Sequence, residues 1–386
     1  MSASDSRYQK VVDFIRETFK APEDPVPLHE PRFLGKEREY LLETIESSVV
    51  STVGPFVVRF EEMMARTTGA AFAVATDTGT SALHMALLVS GVRPGDEVIT
   101  QPLTFVGTVN AVAHAGASPV FIDVDRITLG LSAEKLADFL REHAHLNSGV
   151  CLNRRTGKRI AACVPMHTFG FPCRIDDVLS VCREHRIPVV EDAAESIGSR
   201  FQDRHLGTFG LCGIFSFNGN KTVTAGGGGA IVTDDPALAK KAKHLTTTAK
   251  VPHAWRSVHD HVAYNYRMPN LNAALACAQL EQLERFVEEK RSLASAYRKF
   301  FEAAGMEFLL EPPGARSNYW LMTLQMKDSR ERDELLEYTN SRGVMTRPAW
   351  ELMHRLPMFS DSQTGDLENA EWLAERLVNL PSSVRP

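Results

Sequence analysis

Between residues 71 and 192 short apolar runs alternate with segments whose apolar residues recur at helical spacing, and few architectures satisfy that alternation. Ala71–Ala75, Glu97–Thr100, Pro119–Val124, Arg159–Met166 and Ile187–Val190 read as strands. The stretch from Ser81 through Leu83, Met85, Ala86 and Leu87 reads as a helix, as do the residues after Phe105, Leu131–Glu142 and Ile175–His185. Strand, helix, strand at this spacing predicts an α/β fold with a mainly parallel sheet. In such sheets ligands collect at the carboxyl ends of the strands. Thr80, Phe105, His167 and Asp192 all fall there.

The segment Ile214–Asp235, IFSFNGNKTVTAGGGGAIVTDD, follows as strand, polar turn, glycine-rich bend and strand. Its one lysine, Lys221, sits between rigid elements, where an amine can be desolvated as a Schiff-base lysine must be. The same stretch fits a solvated lysine in a hairpin loop. Gly226–Gly229 matches no GxxxxGK[ST] phosphate loop and reads as a turn or a close backbone approach. Thr78-Gly79-Thr80-Ser81, leading from strand into helix, reads as an N-cap or as an anion site on free amides. Asp192 reads equally as an N-cap after a strand.

Composition narrows the classes. A 386-residue chain with 44% hydrophobic and 24% charged residues suits a large core, with two domains the expectation. Net charge −5 supplies no basic field for nucleic acid or an anionic membrane. The charged N-terminus is not a signal peptide, and no run of about 18 apolar residues spans a bilayer. Cys151, Cys163, Cys173, Cys182, Cys212 and Cys277 lack CxxC pairing and predict reduced, mostly buried thiols in a cytoplasmic protein, with no metal ligands assigned. The missing GxGxxG after the first strand disfavours a nicotinamide-dependent reductase.

The expected organisation is an N-terminal helical extension (1–31), a large domain (32–270), a long linking helix (271–314) and a small C-terminal α+β domain (315–386). The connector Ala21–Pro31 and the Pro312-Pro313-Gly314 break mark two of the boundaries.

GTSAL (79–83), PLTFVGTVNA (102–111), EDAAES (191–196), SFNGNK (216–221), GGGGAIVTDD (226–235) and YNYRMPNLNAA (264–274) occur in one order. Together they resemble the fold-type I, pyridoxal phosphate-dependent nucleotide-sugar aminotransferases of the DegT/DnrJ/StrS type over about residues 32–380. PMHTFGFPC (165–173), SFNGNK and LTTTAK (245–250) are most similar to the branch that aminates UDP-4-keto-6-deoxy-N-acetylhexosamines for legionaminic acid and bacillosamine. Asp77-Thr78 departs from the Asn or Ser that relatives often carry before Gly79.

The resemblance implies a seven-stranded-type sheet in the large domain and the Schiff base to pyridoxal 5'-phosphate on Lys221, which then serves as general acid and base. It implies Asp192, 29 residues earlier, on the cofactor's ring nitrogen. Phe105 is the implied stacking ring. Thr80, Ser81, Ser216 and Asn218 are the implied phosphate ligands, and Glu195 lies near the phenolic oxygen. Asn265, with Arg267, is implied to reach the neighbouring subunit's cofactor in a homodimer with shared active sites. L-Glutamate/2-oxoglutarate and the UDP-linked keto sugar are the implied substrates, with His167, Tyr319, Arg347 and Trp350 as contacts. Sugar 3-dehydratases of this scaffold carry His at the lysine position, so Lys221 argues against that reaction. A non-catalytic nucleotide-sugar-binding regulator is the other alternative, and it predicts a colourless protein.

Overall fold

A computed structural model describes residues 3–385. Its central sheet contains β1 (Phe72–Thr76), β2 (Glu97–Thr100), β3 (Ser118–Phe121), β4 (Ile160–Val164), β5 (Val190–Asp192), β6 (Cys212–Ser216) and β7 (Gly229–Thr233). Hydrogen bonding orders them β1-β7-β6-β5 and β4-β2-β3. Parallel bridges Cys163–Val189 and Met166–Asp192 join the two halves into one surface. The join is made of single bridges because Pro165 and Pro188 offer carbonyls but no N–H; their oxygens accept from Asp192 and Cys163, each at 2.9 Å. Only β7 runs antiparallel, to both β1 and β6. The mainly parallel sheet expected from the strand–helix alternation is present.

Helices cover both faces, as a parallel sheet requires. Successive residues of β6 divide between them. Ile214 packs with Leu83 and Ala86 of α4 (Gly79–Val89), while Phe215 packs with Phe60 of α3 (Pro55–Thr68) and Ala273 of α9 (Asn270–Leu280). The helix after β5 in sequence terms is replaced by a turn, Ala193–Ser199, which leaves the end of β5 open to the cavity described below.

A second core lies under the antiparallel strands Glu307–Phe308, Met322–Gln325, Leu377–Leu380 and Arg347–Pro348, in that order. The N-terminal helix (Ala3–Phe19) is no free extension, since Val11, Val12, Ile15 and Phe19 are buried in this same core. The long linking helix is two helices, α9 and a following Leu283–Ala303, with a break at Glu281-Gln282. The break separates two packing jobs: α9 lies on α3, and the later helix lies on strand Glu307–Phe308.

All six cysteines are buried and free. Among the described residues no helix is long and apolar enough to cross a membrane.

Candidate active site

The carboxyl ends of β1, β5 and β6 open into a cavity of about 350 Å³. Lys221 and Asp192 both line it, with Phe105, Glu195 and Trp350. Lys221 stands in a loop whose base is closed by the Ala225 amide donating to the Phe217 carbonyl at 2.8 Å. Its own amide donates to the Asn218 carbonyl at 3.0 Å, tightening the turn that aims the side chain inward. The ammonium donates to Glu195 Oε1 at 3.2 Å and lies 3.9 Å from the centre of the Trp320 ring. The residue is 9% exposed, so the solvated hairpin lysine is ruled out.

Asp192 ends β5 fully enclosed. Thr108 donates to Oδ2 at 2.7 Å and the Ala194 amide to Oδ1 at 3.1 Å. Burial raises its pKa; these two donors and the Lys221 charge oppose the rise.

Glu195 shows the same contest more strongly. Burial pushes its carboxyl up to about 7, against the pull of Lys221 and the Phe169 amide. The folded chain therefore holds this proton more tightly than the unfolded chain, and stability falls as pH rises from the ordinary glutamate value of 4.5 through 7. The loss is about 3 kcal/mol by linkage. Glu195→Gln in cofactor-free protein is expected to flatten that part of the pH–stability curve, read as the difference between variant and parent in urea unfolding at pH 5 and pH 8. Parallel curves would show that the carboxyl does not titrate there.

The other end of the cavity is an anion cup. Thr78 caps α4, its hydroxyl accepting from the Ser81 amide at 3.1 Å. The amides of Gly79 and Thr80, at the head of the helix, have no partner within it and carry the positive end of the dipole. Ser216 and Asn218 face them across the cavity. The glycines make this close approach workable. A Cβ on Gly79 would sit 2.8 Å from Ser216 Cβ, and one on Gly229 would sit 2.3 Å from the Thr78 carbonyl oxygen.

The expected site residues are not all brought together. Ser81 does not line the cavity; its amide and hydroxyl are both engaged by Thr78, with Oγ to Oγ1 at 2.8 Å. His167 is fully buried away from the cavity, its Nε2 2.9 Å from Glu191 Oε2. That glutamate also accepts from the amides of Gly207, Phe209 and Gly210, so His167 belongs to a structural network. Tyr319 takes a left-handed φ of 46°, which turns it out to meet the Glu311 amide at 3.2 Å. Its neighbour Trp320 enters the cavity in its place. Arg347 is exposed and bonds the Asn340 side chain and the Thr346 carbonyl. Asn265 is exposed and Arg267 half-buried, and neither lines the cavity of its own chain.

Sequence reasoning missed Thr78, Thr108, Asn220 and Trp320, all of which line the cavity. Thr108 was legible as the residue one turn on from Phe105. Nothing near Trp320 in the chain pointed to Lys221. Elsewhere His244, Asp260 and His261 place three ligand-type atoms within 4.8 Å on the surface, where each imidazole is already hydrogen-bonded to the carboxylate.

An amine, a buried carboxylate, an anion cup and apolar walls from Phe105, Met166 and Ile214 fit a flat, phosphorylated pyridine aldehyde. The model of the DegT/DnrJ/EryC1/StrS aminotransferase family matches residues 33–385. The chain is 33% identical to the GDP-perosamine synthase of Escherichia coli O157:H7, over 92% of this chain and 93% of that one. It is 34% identical to the GDP-perosamine synthase of Caulobacter vibrioides, over 91% of each. The crystal structure of the aminotransferase TlmJ from Streptoalloteichus hindustanus superposes with a TM-score of 0.83 at 29% identity, covering 92% of this chain and 93% of that one. Pyridoxal phosphate is the cofactor of such enzymes. The chain belongs to the DegT/DnrJ/EryC1/StrS aminotransferase family, as a pyridoxal phosphate-dependent sugar aminotransferase.

Proposed function

We propose that this enzyme moves the amino group of L-glutamate to the keto carbon of a nucleotide-linked 4-keto-6-deoxy sugar, in two half-reactions, for bacterial surface-sugar synthesis. The observation that carries the reading is Lys221 and Asp192 lining one cavity whose far end is a helix N-terminus. Pyridoxal phosphate, when bound, supplies the aldehyde that takes up the amino group and the ring that delocalises the electron pair left on the substrate carbon.

This chain's residues supply the rest. Lys221 Nζ carries the proton between substrate carbon and cofactor, as an amine of adjustable pKa can. The Asp192 carboxylate holds a proton on the ring nitrogen, and Thr108 and Ala194 fix its orientation. The amides of Gly79 and Thr80 bind the phosphate with Ser216 and Asn218. Phe105, half-exposed on the open side, covers the ring; Trp350, 6.4 Å from it, narrows the entrance against water. Asn265 and Arg267 complete the site of a neighbouring copy in a homodimer.

For the nucleotide, a GDP-linked sugar is favoured by the names of the two perosamine synthases. A UDP-linked N-acetylhexosamine rests on PMHTFGFPC and LTTTAK. Enzyme preloaded with amino groups from glutamate, offered GDP-, UDP- and dTDP-linked keto sugars in single turnover, is expected to yield the GDP-linked amino sugar by mass spectrometry at least tenfold faster than the others. Faster UDP turnover selects the second reading. Transfer to none of the three refutes the function.

A further inference from the structure

We propose that Trp320 is a positioning residue that holds the Lys221 amine in its charged form by presenting the face of its indole ring to it. This deepens the reading above and rests on Lys221 being the reactive amine.

The contact is direct, with Nζ 3.9 Å from the ring centre. A desolvated ammonium over an indole face is the strongest form of the cation–π interaction, and both groups are enclosed here, Lys221 at 9% exposure and Trp320 at 4%. The ring also controls where the lysine's backbone lies. Trp320 Nε1 donates to the carbonyl of Asn220, the residue before Lys221, at 2.7 Å. One side chain thus fixes both the start and the tip of the lysine.

The ring is itself over-determined. The Trp320 amide donates to Asn318 Oδ1 at 2.9 Å, and its carbonyl accepts from the buried Lys290 ammonium at 3.2 Å. Asn318 Nδ2 donates to the carbonyls of Glu195 and Ile197 at 2.9 Å each. The segment 317–320 therefore grips the Glu195 turn and the Lys221 loop together. Its strained point is Tyr319, whose φ of 46° an L-residue adopts only under constraint. That left-handed step lets Asn318 and Trp320 both engage the large domain while the chain continues into strand Met322–Gln325 of the small one.

The groups acting on the amine are few. Glu195 donates its negative charge directly, Asp192 acts across the cavity, and the His29–Lys290 pair lies behind Trp320. Removing the ring leaves Glu195 as the only direct partner of the ammonium, so the free-base form should become more populated.

The test uses full-length protein stripped of cofactor. Labelling of Lys221 by an amine-reactive reagent is followed by mass spectrometry as a function of pH for the parent, Trp320→Phe and Trp320→Leu, with thermal melts alongside. Trp320→Leu is expected to move the labelling midpoint to lower pH, giving about five- to thirtyfold more free amine at a fixed pH below it. Trp320→Phe keeps a weaker ring face and is expected to move the midpoint the same way by about half as much. An unchanged or raised midpoint in either folded variant overturns the proposal, as does a rise in labelling amplitude with no shift. Trp320→Phe decides alone if the leucine variant does not fold. No cofactor is present, so a shifted midpoint with no amino transfer to any sugar would refute the function and leave this role of Trp320 standing.

Discussion

Lys221→Ala is expected to abolish amino transfer while leaving a folded protein. The reaction loses its only amine in the cavity, since no other lysine lines it. Loss of a positioned acid–base group alone costs about 10²–10⁴-fold, and loss of the nucleophile adds to it. The fold survives for a reason visible in the site. The carboxyl that loses its ion partner is Glu195, already pushed up to about 7, and it can take a proton instead of remaining a buried unpaired charge. Single-turnover product formation and a thermal melt on the same preparation check both halves. A small amine added to solution should restore part of the lost turnover by entering the space vacated. Parent-like turnover in the variant would remove Lys221 from the mechanism.

Asp192→Asn should be nearly as damaging, for a different reason. The amide has the carboxylate's shape, and Thr108 can rotate to keep a partner because Thr104 Oγ1 lies 2.8 Å away. Packing is therefore retained and only the negative charge is removed. An uncharged amide cannot hold a proton on the ring nitrogen, and the expected fall in kcat is about 10²–10³-fold, the size of losing one preorganised electrostatic partner. Glutamate KM should change far less than kcat. A variant that loses affinity for glutamate but keeps kcat would show that Asp192 binds substrate rather than tuning the ring.

The sheet was legible because each strand is a short apolar run bounded by breakers and followed by a helical period, and burial on both faces demands that pattern. Asp192 and Lys221 were legible because strand ends collect ligands and because their motifs fall in a recognisable order. Other parts were not. The hairpin Ala144–Asn147 with Val150–Asn153 went unassigned, although Ser148 and Gly149 take left-handed φ values of 49° and 84° in its turn. Its strands are mostly polar and carry no alternation to detect. The break at Glu281-Gln282 was hidden because both flanking segments have helical composition.

The substrate-contact residues show the boundary most clearly. Tyr319 and Trp320 are adjacent in sequence, and an extended strand would send either one inward. A single φ of 46°, held by Asn318 and Lys290 from distant elements, decided that Trp320 meets Lys221. His167 stands at a strand end as expected, but a fully buried Glu191 captures it, because an imidazole beside an enclosed carboxylate gains more from that pair than from facing the cavity.

Local order along the chain was enough to determine the strand–helix alternation, the lysine, the carboxylate and the glycine-lined anion cup, because each depends on residues within a few positions of one another. Which side chains close the cavity, which proton sits on Glu195 and what holds the amine in place depend on groups some hundred residues apart. Those were decided only when the second core docked against the sheet and removed water from between them.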